Sequence, residues 1–349
     1  MGRPFPASPR RPLDCRGVSV KYPCCPADDR DVELVPDLQQ WSFAELRDLT
    51  DTLDSGNRII LARGTEEGTP GVFVIKKMPR SGKLGPKNLN EVFALLEVEE
   101  EKLPGVHKAS AVFKDADYLY VFMEPYTGDL FYDAGEEHEQ AVRTRATQLL
   151  QVLQVLHRSG RVHGDVCLEK VVVADESNIL RIVGYAHMMN VHAPGDTHNE
   201  AHVPRDRVTG RALLRPPETV SPPPGACSSA KKRDVYQAAC TIFALATSVY
   251  PFATVCEALS PAPRAELPTG ACAASVKKLR RYLPSASPEL QDFLGRLIAP
   301  NPDRRLTATE ALAHPSRVLP EVPLARGVPR TSSLRPPRGL QRPWAESMQ

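Results

Sequence analysis

His163-Gly164-Asp165-Val166-Cys167-Leu168-Glu169-Lys170 runs directly into Val171-Val172-Val173, and further on Ile179-Leu180-Arg181-Ile182-Val183 runs into Gly184-Tyr185-Ala186. The two β-branched runs predict a pair of short strands, with Asp175–Asn178 as the turn between them. Just upstream, Ala146–His157 sets Leu149, Leu150, Val152, Leu153 and Leu156 at helical spacing and stops at Ser159-Gly160. Downstream, Val235–Thr247 is almost wholly apolar, which predicts a helix buried on most faces. A further helix is expected over Leu290–Ile298, closed by a turn at Asn301-Pro302. Nearer the N-terminus, Val72–Ile75 and Tyr118–Met123 read as strands. Between them residues 89–101 place Val92, Leu95 and Leu96 on one face of a helix. Strands come early and helices late, so the expected fold class is α+β in two lobes, a small β-rich one and a large helical one.

The 349 residues are enough for a sizeable core. A formal net charge of +2 gives no reason to expect a nucleic-acid or membrane partner. The 8 cysteines form no C-x-x-C pair, so neither a disulfide framework nor a cysteine zinc site is expected, and a reducing compartment fits better. Met1–Arg11 lacks the apolar region of a secretory signal. Nor is there a run of about 18 apolar residues to span a bilayer. The expected location is cytoplasmic, nuclear or both. Residues 1–40, with Pro, Arg and Cys but no period, read as a flexible tail. A folded domain is expected over 41–315, its N-lobe at about 41–124 and its C-lobe at about 127–315. The last stretch, 316–349, holds 6 Arg against 2 Glu among many prolines and is expected to be disordered.

From Trp41 to His314 the order of short motifs resembles the eukaryotic protein-kinase family. Phe73-Val74-Ile75-Lys76 resembles the V-A-I-K strand, whose lysine pairs ATP phosphates. Glu91 stands where the family's helix-borne partner of that lysine would be. Phe122-Met123-Glu124-Pro125-Tyr126 resembles the gatekeeper and hinge, and Gly128-Asp129-Leu130-Phe131 the segment after it. The opening octapeptide is similar to H-R-D-L-K-P-E-N, and Gly184-Tyr185-Ala186 takes the D-F-G place nineteen residues beyond Asp165. Arg215-Pro216-Pro217-Glu218 resembles A-P-E. Asp234-Val235-Tyr236 and Asn301-Pro302-Asp303-Arg304-Arg305 resemble the family's later signatures, in which Arg305 would pair with Glu218.

The resemblance implies ATP as ligand, with Mg²⁺ held by the D-F-G aspartate and the catalytic-loop asparagine. Here those positions are Gly184, which offers no ligand, and Lys170, whose ammonium repels a divalent cation. Cys167 replaces the lysine that steadies the transferring phosphate. Gly164 replaces the arginine that reads a phosphorylated activation segment. In the glycine-rich loop only Gly56 matches, with Asp54 and Ile59 at the other glycine places. No metal site is expected. Asp165 is a remnant base or a structural carboxylate. Gly56, Lys76, Glu91, Met123, Glu124 and Asp129 are the candidate nucleotide contacts. His163 and Tyr185 are expected to stack between the lobes, anchored to Asp234, and Glu218 to form a buried pair with Arg305.

Three functions follow from this pattern. One is a pseudokinase serving as scaffold or allosteric regulator of a protein partner. The second is a weak, divergent Ser/Thr kinase that uses Asp165, Lys76 and a rearranged metal ligand such as Glu169 or Asp175. The third is a module gated by ATP without Mg²⁺, in which Lys170 mimics the missing cation. No cofactor is required by the first. Candidate partners are another kinase, or an SH3-type domain recognising Arg317, Pro320 and Pro323 in an R-x-x-P-x-x-P arrangement. Of the 9 histidines, His187, His192, His198 and His202 crowd the segment after Gly184. The His198–His202 spacing suits zinc only on a helix, and the surrounding Pro and Gly predict a loop.

Overall fold

A computed structural model describes residues 13–15, 18–21, 43–49, 56–64, 71–130, 138–174, 179–192, 202–204, 214–219, 227–248, 250–251, 281 and 286–314. The N-terminal lobe is a five-stranded antiparallel sheet built from β3 (Phe43–Asp48), β4 (Arg58–Gly64), β5 (Val72–Pro79), β6 (Ala109–Lys114) and β7 (Tyr118–Met123) in the order β3-β4-β5-β7-β6. The two runs read as strands from sequence are β5 and β7, and they are neighbours, with Lys76 opposite Val121. Ile60, Ile75 and Phe122 stand opposite one another in register and are buried on one face of the sheet, while Val74 and Lys76 point to the other. Helix α1 (Gly85–Glu100) adds Val92, Leu95 and Val98 to the core. It begins four residues earlier than its periodicity predicted, because Asn88 donates its side-chain amide to the Pro79 carbonyl and ties the first turn to β5 (2.8 Å).

The C-terminal lobe is helical. Helix α2 (Glu139–Arg158) buries Val142, Ala146, Leu149, Leu150, Leu153 and Leu156 as one stripe at i, i+4 and i+7 spacing. Helix α3 (Ala230–Thr247) is buried on nearly every residue, as its composition implied, and Ser229 caps it by accepting from the Lys232 amide. Two short helices close the lobe, α4 (Pro288–Leu297), capped by Ser287, and α5 (Ala308–Ala313), which opens on a Thr307–Glu310 capping box. Between the lobes β8 (Tyr126–Asp129) and β11 (Ile179–Ile182) flank β10 (Val171–Ala174) in an antiparallel sheet. The core is continuous from Phe122 through Tyr185 and Leu168 to Phe243. Two lobes of these compositions agree with the α+β bilobal expectation.

Within residues 1–40, expected to be a flexible tail, the described residues are paired strands. Leu13–Cys15 (β1) and Val18–Lys21 (β2) pair antiparallel, and β2 lies against β12 (Met189–His192), with Lys21 opposite Asn190. On its other edge β12 pairs with β9 (Arg161–Val162). The Val-Ser-Val run of β2 is too short to stand out as a period among prolines and cysteines, yet it suffices to satisfy the amides of a strand edge. Residues 316–349, and with them Arg317, Pro320 and Pro323, lie outside the described residues, as do Asp54 and Asp175. His192 ends β12, and His202 opens a further strand, β13 (His202–Pro204), which pairs with β14 (Cys227–Ser229). The segment is therefore not wholly loop, and His202 sits on no helix; His198 is outside the described residues. Among the described residues no group of three metal-ligating side chains occurs, and no helix is long and apolar enough to cross a membrane.

Candidate functional site

The site lies where α1, β5, the Leu168–Lys170 turn and the segment after β11 converge. Lys76 projects from β5 toward α1, and its Nζ donates to both carboxylate oxygens of Glu91 (2.7 and 2.9 Å). The pair is largely sheltered, with the Glu91 side chain only 6% exposed. One turn earlier on α1 stands Lys87, four residues before Glu91 and so on the same face.

Across the cleft, Asp165 follows His163 and Gly164, and these two hang from α3. The Asp234 carboxylate accepts from the His163 and Gly164 amides (2.8 Å each) and from the His157 ring (3.0 Å). The His163 Nε2 faces the Val183 carbonyl at 3.1 Å, so it must carry the proton. Its Nδ1 is then the acceptor for the Asp165 amide. Burial, and then the charge of Lys170, lower the His163 pKa, which keeps the ring neutral. The His163 and Tyr185 rings meet edge to face, 5.9 Å between centroids. The Tyr185 hydroxyl donates to the Ile182 carbonyl and accepts from the His107 amide.

Lys170 is the departure with the largest consequence. Its ammonium forms an ion pair with the Asp165 carboxylate. Burial alone would raise the Asp165 carboxyl; Lys170 and then His187 override this and hold it well below the usual carboxylate range. Gly184 has φ +81°, and a Cβ built there would lie 3.1 Å from Lys170 Cδ and Cε. The lysine stem therefore lies against the bare backbone of Gly184, and the two replacements fit each other. The Val183 amide donates to the Lys170 carbonyl (2.9 Å), fixing that contact. Gly164, also at φ +81°, is closed in a different way. A Cβ there would stand 2.6 Å from the His187 carbonyl oxygen, so no larger side chain fits the present backbone.

The remaining candidates scatter. Cys167 is fully buried in the core. Met123 is buried at the end of β7; the Glu124 carboxylate reaches outward to Arg181 (2.8 Å) while its carbonyl accepts from His107 Nε2 (2.9 Å). Asp129 ends β8 opposite Val172. Gly56, at φ +94°, lies against Leu84, and Ile59 stands in β4 opposite Lys76. Glu218 and Arg305 form a bidentate pair (2.8 and 3.0 Å). Sequence reading missed Arg161, which donates from both terminal nitrogens to Glu101 and also reaches Glu97, itself bonded by Asn190 (2.9 Å). It also missed Asn90, whose amide donates to the Ala186 and Met188 carbonyls (3.1 and 3.4 Å). Both act between elements far apart in the chain, where no local pattern marks them.

Residues 50–316 match the protein kinase domain family. This chain belongs to the protein kinase family. It is 24% identical over 280 residues to calcium-dependent protein kinase 8 of Oryza sativa subsp. japonica, covering 76% of this chain and 48% of the relative. It is likewise 24% identical over 273 residues to the serine/threonine-protein kinase cds1 of Schizosaccharomyces pombe, covering 76% and 56%. With calcium-dependent protein kinase 7 of Arabidopsis thaliana it shares 24% over 262 residues, 72% and 44% of the two lengths. The chain thus spans about half the length of the curated relatives it matches. The family implies a nucleotide and Mg²⁺. The Lys76–Glu91 pair fits phosphate binding. The magnesium positions do not fit, because Gly184 supplies no side-chain oxygen and Lys170 brings a cation, paired with Asp165, where the family has a neutral ligand.

Proposed function

We propose that this kinase-family chain is a pseudokinase, a scaffold or allosteric regulator of a partner protein. The observation that carries the reading is the Lys170–Asp165 ion pair packed on Gly184. A general base must have a free oxygen facing the hydroxyl it activates, and a metal must have anionic ligands. Here the Asp165 carboxylate is neutralised by an ammonium from its own loop. The architecture that would present a surface to a partner is kept, through Asp234, Glu218 and Arg305. The partner is a protein, another kinase or an SH3-type domain reading Arg317, Pro320 and Pro323, met in the cytoplasm or nucleus.

The test is transfer of labelled phosphate from ATP, with Mg²⁺ or Mn²⁺, to the chain itself and to a generic basic substrate. The expected result is no signal above the Asp165→Ala variant. Transfer that disappears in Asp165→Ala overturns the reading and favours the second one, a weak Ser/Thr kinase. That alternative has its own support in the intact Lys76–Glu91 pair and the retention of Asp165.

A further inference from the structure

Three lysines converge on the cleft. Lys76 comes from β5, Lys170 from the turn before β10, and Lys87 from the first turn of α1. Their partners are two carboxylates, Glu91 for Lys76 and Asp165 for Lys170. Lys87 forms neither pair. It senses Lys170, Asp165, Glu91 and Lys76 together, and the protein around it, followed by the charge of Lys170, lowers its pKa. His187, which also faces Lys170 and Asp165, is brought down to about 3 by burial and then by Lys170, so at neutral pH it adds no charge. Among the described residues the cluster therefore holds three ammonium groups against two carboxylates, with one cation in excess at the rim. An excess cation in a partly sheltered cleft is a site for an anion. Ammonium groups on flexible stems bind phosphate oxygens as point charges, without the planar geometry an arginine imposes.

We propose that Lys87, Lys170 and Lys76 together form a receptor for a polyphosphate chain that takes its ligand without metal. The inference rests on the pseudokinase reading of positions 170 and 184, and adds Lys87, which no aligned motif supplies. Kinase chemistry uses Mg²⁺ to neutralise the phosphates. Here the protein brings the cations itself, so a magnesium-complexed polyphosphate arrives with its charge already spent. Binding is expected to weaken when Mg²⁺ is added, the reverse of an active kinase. The ligand is either a nucleotide or free polyphosphate, since both present the same oxygens.

Isothermal titration of the full chain with inorganic pyrophosphate, ATP and adenosine, each in EDTA and in excess Mg²⁺, tests this. Pyrophosphate and ATP are expected to bind in EDTA, adenosine to bind far more weakly, and affinity to fall with Mg²⁺ and with salt. ATP tighter than pyrophosphate identifies a nucleotide site; equal affinities identify a polyphosphate site. Lys87→Gln is expected to weaken binding by about tenfold, the loss of one charge-assisted contact. Lys87 is exposed on the helix surface, so the variant keeps its fold. Arg296→Gln, at an exposed pair with Asp292 on α4, is the control that should bind unchanged. Binding that requires Mg²⁺, an unaltered affinity in Lys87→Gln, or no heat from any phosphate overturns the inference. None of these outcomes except the magnesium requirement touches the pseudokinase reading, which the phosphate-transfer assay decides separately.

Discussion

Two ion pairs, Arg305–Glu218 and Lys170–Asp165, each join a cation to a largely buried carboxylate, and they are built for opposite purposes. Arg305 is fully buried and uses every nitrogen. Nε donates to the Ala299 carbonyl, Nη1 to Glu218 and Lys232, and Nη2 to Glu218 and Pro300, with the Tyr236 ring 4.9 Å below the guanidinium. Its planar fork is matched by fixed acceptors on both sides. Lys170 sits on the cleft side with its side chain 20% exposed, holding Asp165 by one ammonium on a flexible stem. The first pair is a rivet between distant segments of the C-lobe. The second is a single-point tie at the edge of the cleft. A retained family residue and a replaced one thus differ in how many directions their contacts come from, and not in charge or in burial alone.

The largest test breaks the rivet. Glu218→Ala leaves Arg305 buried without its counter-ion and should cost about 3–5 kcal/mol, read as a shift in the chemical-denaturation midpoint. Lys170→Asn should cost far less by the same measure, because water reaches its site; equal losses would erase the distinction. Next in size is Asp234→Asn, which keeps the shape but removes the charge from bonds to His163, Gly164 and His157. A loss of about 1.5–3 kcal/mol is expected. Third, Gly184→Asp places a side chain at φ +81° against the Lys170 stem, for about 1–3 kcal/mol. Combined with Lys170→Asn, whose shorter side chain vacates that space, the cost should fall below the sum of the single losses by at least about 0.5 kcal/mol. Strict additivity would show that positions 170 and 184 do not answer to one another.

The smallest effect is in pH. His187, His163 and His107 are each lowered, foremost by burial, so in the folded chain they stay neutral to below their ordinary range. The unfolded chain therefore binds more protons as pH falls under about 6.5, and stability should decline there, fully present above it. For His187 the decline extends down toward about 3. His187→Gln should flatten the slope by up to about 1.4 kcal/mol per pH unit, measured by denaturation between pH 6.5 and 5.

Much of the frame was legible because its signals are local. The stripe of α2, the all-apolar α3 and the β-branched β5, β7, β10 and β11 carry their periods within single elements. The Lys76–Glu91 and Glu218–Arg305 pairs were legible only through family resemblance, since 15 and 87 residues separate their members. What remained hidden depends on three-dimensional meeting. Nothing in the sequence says that the Lys170 stem lies on Gly184 or that Arg161 binds α1 to the entry of the loop. β1 and β2 were obscured by composition, a Val-Ser-Val run being too brief to show a period.

The backbone at Gly164 constrains what can stand there. An arginine restored there, as the family motif has it, would collide with the His187 carbonyl before it could meet any phosphate. Placing the motif residue at position 164 would first need the segment after β11 to take another path. Gly164 thus acts as a ratchet on this loop, where residue identity and chain path have to change together.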